Sequence, residues 1–368
     1  MAAGIYIHIP FCKSRCSYCD FATDVFRSSD AVERYVTAVR NEIGAFRPAQ
    51  IAIDTIYFGG GTPSLLSSQQ LKSILVKARE VFDVSADTEI TMEMNPATVT
   101  FESLAEFRGL GVNRASFGVQ TFNERDLKLL ARGHDANDAR QTFRMLREAG
   151  FNNVSFDLIA GLPGQSLDDW RRNLQEAVSM EPEHLSLYLL EIHEGTPLAE
   201  QLRSGRRPLP DEELAAEMYE LMIDTLEAVG YPQYEISNFA KPGFESRHNT
   251  KYWRMDPVYG FGVSAHSFDG RERYANDRDT ASYVKKVASL SSAEVFREAT
   301  NYASESAFLG LRLSEGIDID LHRSKFAVDL AEKVAALESN ALVEVREGRV
   351  RLTRRGMLFS NEVFAEFV

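Results

Sequence analysis

The strongest constraint on the fold is an alternation between short runs of β-branched or aromatic residues and longer amphipathic stretches. Six short runs precede residue 200, and helical patterns fall between them. The six predicted strands are residues 5–9, 55–58, 89–94, 114–119, 153–161 and 184–190. Because neighbouring parallel strands need a long crossover, this order predicts a parallel sheet with right-handed connections. The predicted fold class is therefore α/β.

Two of the intervening stretches show helical spacing clearly. Residues 30–46 repeat apolar side chains every three or four positions, and Asp30 with Glu33 suits an N-terminal capping box. Residues 67–82 do the same behind Ser67. We therefore expect helices that begin at these caps and cover the sheet.

The chain divides into three predicted segments. Residues 1–235 are predicted to form an incomplete (β/α)6 TIM-like barrel, although an open doubly wound sheet fits the same pattern. Residues 236–290 are rich in aromatic side chains and glycine. Residues 291–368 are predicted to form a smaller C-terminal α+β domain that resembles a winged helix, with a hairpin that turns at Glu347 and Gly348.

Charge and hydropathy limit the expected partners and compartment. The formal net charge is −13, and a chain this acidic is poorly suited to tracking nucleic-acid phosphates. No apolar run approaches the roughly 20 residues that span a bilayer. The first residues carry no basic stretch followed by an apolar core. We therefore expect a cytoplasmic protein without a nucleic-acid partner.

All three cysteines of the chain lie within eight residues, as Cys12, Cys16 and Cys19 in the spacing C-x3-C-x2-C. An odd count in so short a stretch does not suit a disulfide framework, so thiolate ligation of a metal is the better interpretation. One option is a zinc site with His8 as the fourth ligand. Another is a [4Fe–4S] cluster held by three thiolates, which leaves one iron open to a small molecule. Buried cysteines without a metal are the third option.

Polar residues and glycines stand at or just past the carboxyl ends of the predicted strands. The cysteines follow the first strand, residues 59–62 follow the second, and Glu93 ends the third. Gln120 follows the fourth strand, and Asp157 lies in the fifth. Ligand sites in parallel sheets and barrels form at this edge. Five such positions in register predict one common site.

Several motifs together resemble a known superfamily. The stretches YIHIPFC, GGGTP, GVQTF, LARGHDA and DLIAGLP, with Tyr18 before the last cysteine, resemble the coproporphyrinogen III dehydrogenase (oxidase)-like branch of the radical S-adenosylmethionine (SAM) proteins. The resemblance implies that Cys12, Cys16 and Cys19 hold a [4Fe–4S] cluster whose open iron binds SAM. One electron from such a cluster cleaves SAM to a 5′-deoxyadenosyl radical.

The resemblance also implies a set of cofactor contacts. Glu93 and Asp157 are acceptors suited to an amine or a ribose, and Arg132 suits a carboxylate. The main chain near Leu190 is the expected adenine contact. The candidate cofactor-binding residues are Tyr6, Phe21, Gly60, Gly61, Thr62, Glu93, Gln120, Arg132 and Asp157.

Two features separate this chain from the dehydrogenase itself. Phe21 stands where the enzyme carries a fourth cysteine, and the enzyme's N-terminal arm before the first strand is missing. The stretch RHNTKYW is similar to the H-N-x-x-Y-W motif of the radical SAM haem chaperones. That similarity implies haem contacts from His248, Tyr252 and Trp253, because histidine is a good axial ligand and the aromatic rings offer flat apolar faces. The alternative is that His248 caps a turn while the two aromatic rings fill the core.

A haem site on an acidic protein needs local cations for the two haem propionates. Lys241, Arg247, Lys251 and Arg254 surround the motif and are the expected source of that charge. The downstream stretch GFGVSAH, which ends at His266, is a weaker candidate for lining the same pocket.

The leading hypothesis is a haem chaperone that carries the cluster, SAM and haem as cargo. It would deliver haem to client haemoproteins, including membrane respiratory proteins, and the family suggests a homodimer. The alternative is an oxygen-independent coproporphyrinogen III oxidase, which decarboxylates two propionates to vinyl groups. A third possibility is a zinc-stabilised protein without radical chemistry.

Overall fold

The computed structural model describes residues 2–47 and 51–368. Its strands, in chain order, are β1 (Ala3–Ile9), β2 (Phe11–Cys12), β3 (Asp24–Val25), β4 (Ala52–Gly60), β5 (Asp83–Met94), β6 (Arg114–Gln120), β7 (Val154–Ala160), β8 (His184–Leu189), β9 (Gln233–Glu235), β10 (Asn238–Ala240), β11 (Val258–Phe261), β12 (His266–Phe268), β13 (Glu272–Asn276), β14 (Glu294–Ala299), β15 (Ile317–Asp318), β16 (Val343–Arg346) and β17 (Arg349–Leu352).

The helices, in chain order, are α1 (Ser29–Ala45), α2 (Ser68–Val81), α3 (Phe101–Gly109), α4 (Glu124–Leu129), α5 (Ala136–Glu148), α6 (Leu167–Ser179), α7 (Pro197–Arg203), α8 (Glu212–Ala228), α9 (Arg247–Arg254), α10 (Thr280–Leu290), α11 (Tyr302–Gly310), α12 (Ile319–Phe326), α13 (Ala331–Ser339), α14 (Arg354–Leu358) and α15 (Ser360–Ala365). Among the described residues, none of these helices is long and apolar enough to cross a membrane.

The six predicted strands are all confirmed, and they form the centre of one large sheet. They lie side by side in chain order as β1-β4-β5-β6-β7-β8, and every neighbouring pair is parallel. Within the described residues, β1 and β8 do not pair with each other, so the barrel is incomplete, as expected. Its two edges are extended instead by β11 to β14 beside β1 and by β10 and β9 beside β8.

The two faces of the central strands differ sharply in polarity. In β1, Ile5 and Ile7 point outward into the core formed with the helices, while Tyr6 and His8 point inward. Paired positions of parallel strands face the same side, so the register extends this pattern across the sheet. The inward positions include Tyr6, His8, Thr55, Tyr57, Glu89, Thr91, Glu93, Arg114, Ser116, Ser155, Asp157, His184 and Ser186. The interior of the incomplete barrel is therefore polar.

One of the two predicted helix caps is confirmed, and the other is wrong. Ser67 caps α2 with the predicted capping box. The predicted cap Asp30 of α1 is wrong, because Ser28 is the N-cap and its side chain accepts a hydrogen bond from the Ala31 N–H. Asp30 lies in the first turn instead, where its negative charge still favours the helix N-terminus.

The C-terminal part has its own small core. Helices α11 to α15 surround the three-stranded sheet β15-β17-β16, and the predicted hairpin is present as β16 and β17. Residues of the aromatic and glycine-rich segment 236–290 form β10 to β13, which belong to the large sheet. The proposed segment boundaries at 235 and 290 stay predictions.

The connection from β11 to β12 is held against α1 and β1 by a close contact at Gly262. The Gly262 N–H donates to Glu42 at 2.9 Å, and the Val263 N–H donates to the Tyr35 hydroxyl at 2.9 Å. Gly262 has φ +102°, and a Cβ there would lie 2.6 Å from the Tyr35 hydroxyl oxygen and 2.7 Å from the His8 carbonyl oxygen. This contact fixes the β11–β12 connection at the carboxyl end of β1.

We predict that Gly262→Ala destabilises the protein more than Gly150→Ala. Gly150 also has a positive φ, +86°, but a Cβ there would meet nothing within 4 Å. Gly150→Ala should therefore cost only the backbone strain, about 1–2 kcal/mol. Gly262→Ala should lose the same strain energy and roughly 1–3 kcal/mol more, because the new methyl group overpacks the contact. Urea unfolding of both variants measures the difference, and equal losses would show that the Gly262 contact is not a packing constraint.

Candidate functional site

A cavity of about 910 Å³ opens at the carboxyl edge of the parallel strands. It brings together most of the predicted site residues, which come from separate strand ends and loops. Those lining it are Tyr6, Cys12, Cys16, Cys19, Phe21, Gly60, Gly61, Glu93, Gln120, Arg132, Asp157 and Tyr252. Thr62, His248 and Trp253 do not line it. The predicted convergence at one edge of the sheet is thus present in the structure.

The loop that carries the cysteines is anchored through Ser17, which lies between Cys16 and Cys19 and bonds to a distant part of the chain. Ser17 is buried, its hydroxyl donates to the Leu129 carbonyl at 2.8 Å, and its N–H donates to the Leu130 carbonyl at 3.0 Å. Cys12 lies in β2, which pairs with β3 at the end of the loop. None of the three cysteines forms a disulfide. The loop is therefore held by groups other than the thiols, which are left available as ligands.

Two cysteine sulfurs accept hydrogen bonds from residues outside the loop. The Thr62 hydroxyl donates to Cys12 Sγ at 3.6 Å, and Arg132 Nη1 donates to Cys16 Sγ at 3.3 Å. Burial raises the pKa of the Cys12 and Cys19 thiols in the protein alone. A bound metal reverses this effect because its positive charge favours the thiolate. Soft sulfur ligands with hydrogen-bond donors beside them fit an iron–sulfur cluster.

Arg132 connects the cysteine loop to the ends of β5 and β6. Its Nη2 donates to the Asn95 side chain at 2.7 Å and to the Gly118 carbonyl at 2.6 Å. Asn95 in turn donates to Thr62 at 2.9 Å, so a continuous chain of contacts joins Cys16 to Cys12. Arg132 Nε is buried without a hydrogen-bond partner. Asn95 was missed by the sequence reasoning, although its position directly after β5 was the available signal.

The glycines after β4 allow two strand ends to approach closely. A Cβ on Gly60 would lie 2.6 Å from the His8 ring, and one on Gly61 would lie 2.6 Å from the Pro10 carbonyl. The Gly60 N–H donates to Glu93 at 3.0 Å. The glycine stretch therefore packs against the β1 end and also orients an acidic side chain of the cavity.

Glu93 and Asp157 form an acidic pair on the inner surface. The Tyr57 hydroxyl donates to Glu93 at 2.8 Å. Burial, followed by the neighbouring Asp157 carboxyl, raises the Glu93 pKa to about 7 despite this hydrogen bond. Burial also raises the Asp157 pKa, while the positive charge of Arg114 opposes the shift. Both groups are suited to pair with a cation that enters the cavity.

Gln120 is held in an unusual backbone conformation. Its φ is +67°, at the point where the register between β6 and β7 shifts. A positive φ at a residue other than glycine costs on the order of 1 kcal/mol and is common at ligand sites. The irregularity turns the end of β6 into the cavity.

The H-N-x-x-Y-W motif lies on α9, and its three residues have different surroundings. His248 is only 1% exposed and lies under the cavity. Its Nδ1 is hydrogen-bonded to Thr55 at 2.9 Å, and its Nε2 lies 3.2 Å from the Tyr252 hydroxyl. Burial lowers the His248 pKa to about 3. Tyr252 lines the cavity, whereas Trp253 packs against the Arg312 guanidinium at 4.2 Å.

The four cations expected to pair with propionates have other partners. Lys251 is buried and forms an ion pair with Asp54 at 2.8 Å, which Arg247 also reaches at 3.4 Å. Arg254 pairs with Glu315, and Lys241 lies over the Tyr231 ring. The arginines that line the cavity come from other segments and are Arg15, Arg132, Arg278 and Arg312.

The zinc interpretation meets a structural obstacle at His8. Its Nδ1 is hydrogen-bonded to Tyr6 at 3.0 Å and its Nε2 to the Ala22 carbonyl at 2.9 Å. Both ring nitrogens are thus engaged. Within residues 2–47 and 51–368, no three histidine, cysteine or acidic side chains converge at the spacing that a single metal ion needs.

Comparison with known proteins identifies the class. The chain matches the Radical SAM superfamily over residues 6–177 and the HemN C-terminal domain over residues 298–359. The structure of coproporphyrinogen III oxidase (HemN) from Escherichia coli, a radical SAM enzyme, superimposes with a TM-score of 0.87 over 100% of this chain and 90% of that chain, at 26% identity. The fold is therefore a radical SAM fold.

Relatives that align over nearly their whole length specify the family within this superfamily. The chain is 38% identical to the heme chaperone HemW of Bacillus subtilis, over 99% of this chain and 98% of that protein. It is 35% identical to HemW of Lactococcus lactis, over 99% of this chain and 96% of that protein. The chain belongs to this family of radical SAM haem chaperones.

We predict that Glu93 makes the protein without cofactors less stable as the pH rises from about 4.5 to 7. Its pKa is about 7 in the folded state against an ordinary value of 4.5, so the native state holds a proton that the unfolded chain releases. Stability then falls through this window. Glu93→Gln should flatten the dependence of unfolding free energy on pH, measured by urea unfolding at several pH values. The exposed Glu106→Gln is the control, and an identical slope in both variants would contradict the assignment.

Proposed function

We propose that this protein binds a [4Fe–4S] cluster, SAM and haem, and delivers the haem to client haemoproteins. One observation carries the proposal: the cavity of a chain in the haem-chaperone family combines three unpaired cysteines with an acidic pair and an aromatic rim. The cysteines suit the cluster, the acidic pair suits the cation of SAM, and the rim suits a porphyrin.

The residues around the cysteines fit the resident cofactors. Cys12, Cys16 and Cys19 would hold the cluster, with Thr62 and Arg132 donating hydrogen bonds to the ligating sulfurs. When bound, the cluster and SAM supply a one-electron cleavage of the SAM sulfonium.

The inner surface of the cavity suits SAM itself. Glu93 would accept hydrogen bonds from the amino group, and Asp157 would accept them from the ribose. The remaining proposed contacts are Arg132, with the SAM carboxylate, and Tyr6, Phe21, Gly60, Gly61, Gln120 and the main chain near Leu190, all of which line the cavity. Thr62 also remains a proposed contact, although it does not line the cavity. The low exposure of Glu93 and Asp157 excludes water and strengthens their electrostatic interactions with the ligand.

The rim of the cavity supports haem as the cargo. Phe21 is 63% exposed, and Tyr188 near the end of β8 is also exposed and lines the same cavity. Such apolar exposure at a cavity mouth is typical of a ligand or partner site. From the motif, His248, Tyr252 and Trp253 remain proposed haem contacts. Membrane respiratory proteins as clients and a homodimer are parts of the same proposal.

The structural likeness to HemN favours a second candidate function. The TM-score of 0.87 covers the whole chain, so the decarboxylation of coproporphyrinogen III is the alternative. The exposed Phe21 at the position of the enzyme's fourth cysteine speaks against it.

We predict that Cys16→Ala loses the cluster but keeps the fold. The loop is anchored through Ser17, and the Cys16 thiol lies at the cavity rather than in the core. Anaerobic reconstitution should give about four iron atoms per wild-type chain and almost none in the variant. The exposed Ser14→Ala in the same loop is the control. If Cys16→Ala keeps its iron and its brown colour, the ligands are misassigned.

We predict that the reconstituted wild-type protein binds haem and transfers it to an apo-haemoprotein. The same protein, given coproporphyrinogen III, SAM and a strong reductant without oxygen, should form no protoporphyrinogen. Absorbance spectra follow the haem, and chromatography follows the porphyrins. Formation of protoporphyrinogen over many turnovers would show that the protein is an oxidase and not a chaperone. Failure to bind haem would refute the proposed function.

A further inference from the structure

We propose that His266 supplies the protein ligand to the haem iron at the mouth of the cavity. The inference rests on the proposed function of haem binding and adds the residue that coordinates the cargo. It differs from the expectation drawn from the H-N-x-x-Y-W motif, which assigns that role to His248.

Most histidines of the chain are already committed to other contacts. A haem ligand needs an accessible ring nitrogen without a proton. Five of the seven histidines are buried with their rings hydrogen-bonded: His8, His134, His184, His248 and His322. To bind a haem iron through Nε2, His248 would have to give up its contact with the Tyr252 hydroxyl. Its ring is also fixed from the other side, by the hydrogen bond to Thr55 and the stack with the Tyr57 ring, 5.0 Å away.

Two histidines remain, and both line the cavity. His193 has a carboxylate 3.6 Å from each ring nitrogen, Asp20 at Nδ1 and Glu191 at Nε2. Each ring nitrogen of His193 thus already faces an acidic side chain, whereas a haem ligand needs a ring nitrogen that is open toward the cavity. His266 is exposed, and among the described residues its ring has neither a hydrogen-bond partner nor a carboxylate within 4.0 Å. Partial loss of hydration around the exposed ring, and then the positive charge of Arg273, lower the pKa of His266, which favours the neutral ring that a metal requires.

The main chain around His266 is rigidly held although its side chain is free. His266 begins β12 and pairs with Ala275 of β13. The preceding Ser264 N–H donates to the Asp277 carbonyl at 2.8 Å, and the Asn276 N–H donates to the Ala265 carbonyl at 3.0 Å. Because the backbone is already fixed, coordination would have to order only the His266 side chain.

The other groups at the mouth match the chemistry of a porphyrin. Tyr252 and Phe21 offer aromatic surface for the macrocycle. Arg15 and Arg278 are exposed cations that line the same cavity, and each can pair with a propionate. Arg278 donates to the Asp20 carbonyl at 2.7 Å, which places it against the cysteine loop. The mouth thus combines an iron ligand, flat apolar walls and two cations.

The test is a haem titration of the full-length protein, reconstituted with its cluster. We expect the wild type to show an imidazole-ligated Soret and resonance Raman signature. His266→Ala should lose that signature and bind haem about tenfold more weakly or worse. His193→Ala, at the same mouth, is the matched control and should behave as the wild type. Added imidazole should restore the signature in His266→Ala, because it occupies the space of the missing ring.

Two further measurements separate coordination from misfolding. Cluster iron and the urea unfolding curve of His266→Ala should equal those of the wild type. His266→Met should change the spectrum to that of a thioether ligand. An unchanged imidazole signature in His266→Ala overturns the inference, as does its loss in His248→Ala with retention in His266→Ala. A wild type that binds no haem refutes the proposed function itself.

Discussion

The parallel register of the six central strands is the constraint on which the site depends. It directs every second side chain inward, so that Glu93, Asp157 and the 1% exposed Arg114 share one interior. Buried polar groups are costly unless they are hydrogen-bonded or paired. Residues of the six strands provide only some of the hydrogen bonds that these buried groups need, such as the bond from Tyr57 to Glu93. The rest comes from the segment after α8, where Tyr234 bonds to His184 and His248 bonds to Thr55. The helix that carries the H-N-x-x-Y-W motif is therefore also a structural part of the barrel.

The cysteine loop depends on a second, smaller set of contacts. Arg132 donates hydrogen bonds to Cys16, Asn95 and the Gly118 carbonyl. Asn95 in turn donates to Thr62, whose hydroxyl donates to Cys12. These contacts join three strand ends to the loop before any cofactor is bound. A guanidinium suits this place because its several donors lie in a fixed plane and its charge favours thiolate ligands. If the cysteines hold the proposed cluster, this arrangement would make Arg132 a positioning residue for it as well as a proposed partner of SAM.

The sequence pattern predicted those features of the fold and site that depend on residues close together in the chain. Short β-branched or aromatic runs between longer amphipathic stretches predicted the six strands. The positions of Glu93, Gln120 and Asp157 in or after successive strands predicted one common cavity. The surroundings of His248 were not predictable in this way. Its burial follows from the docking of α9, where Glu89 of β5 accepts the His248 N–H at 3.1 Å across a large sequence separation. The partners of Lys251 likewise depend on long-range packing against Asp54.

A carrier must both hold its cargo and release it, and the cavity separates groups suited to each task by depth. Glu93 and Asp157 are buried on rigid strands, which suits a ligand that stays. Phe21 and His266 are exposed at the mouth. If haem binds there as proposed, a competing ligand from another protein could reach its iron. Removal of haem from His266 would leave the polar interior intact, because its ring takes no part in the hydrogen bonds there. Coordination by the buried His248 through Nε2 would instead couple each transfer to the breaking and re-forming of its contact with Tyr252. In the proposed function, an exposed ligand such as His266 would therefore favour fast exchange of haem without local unfolding of the barrel.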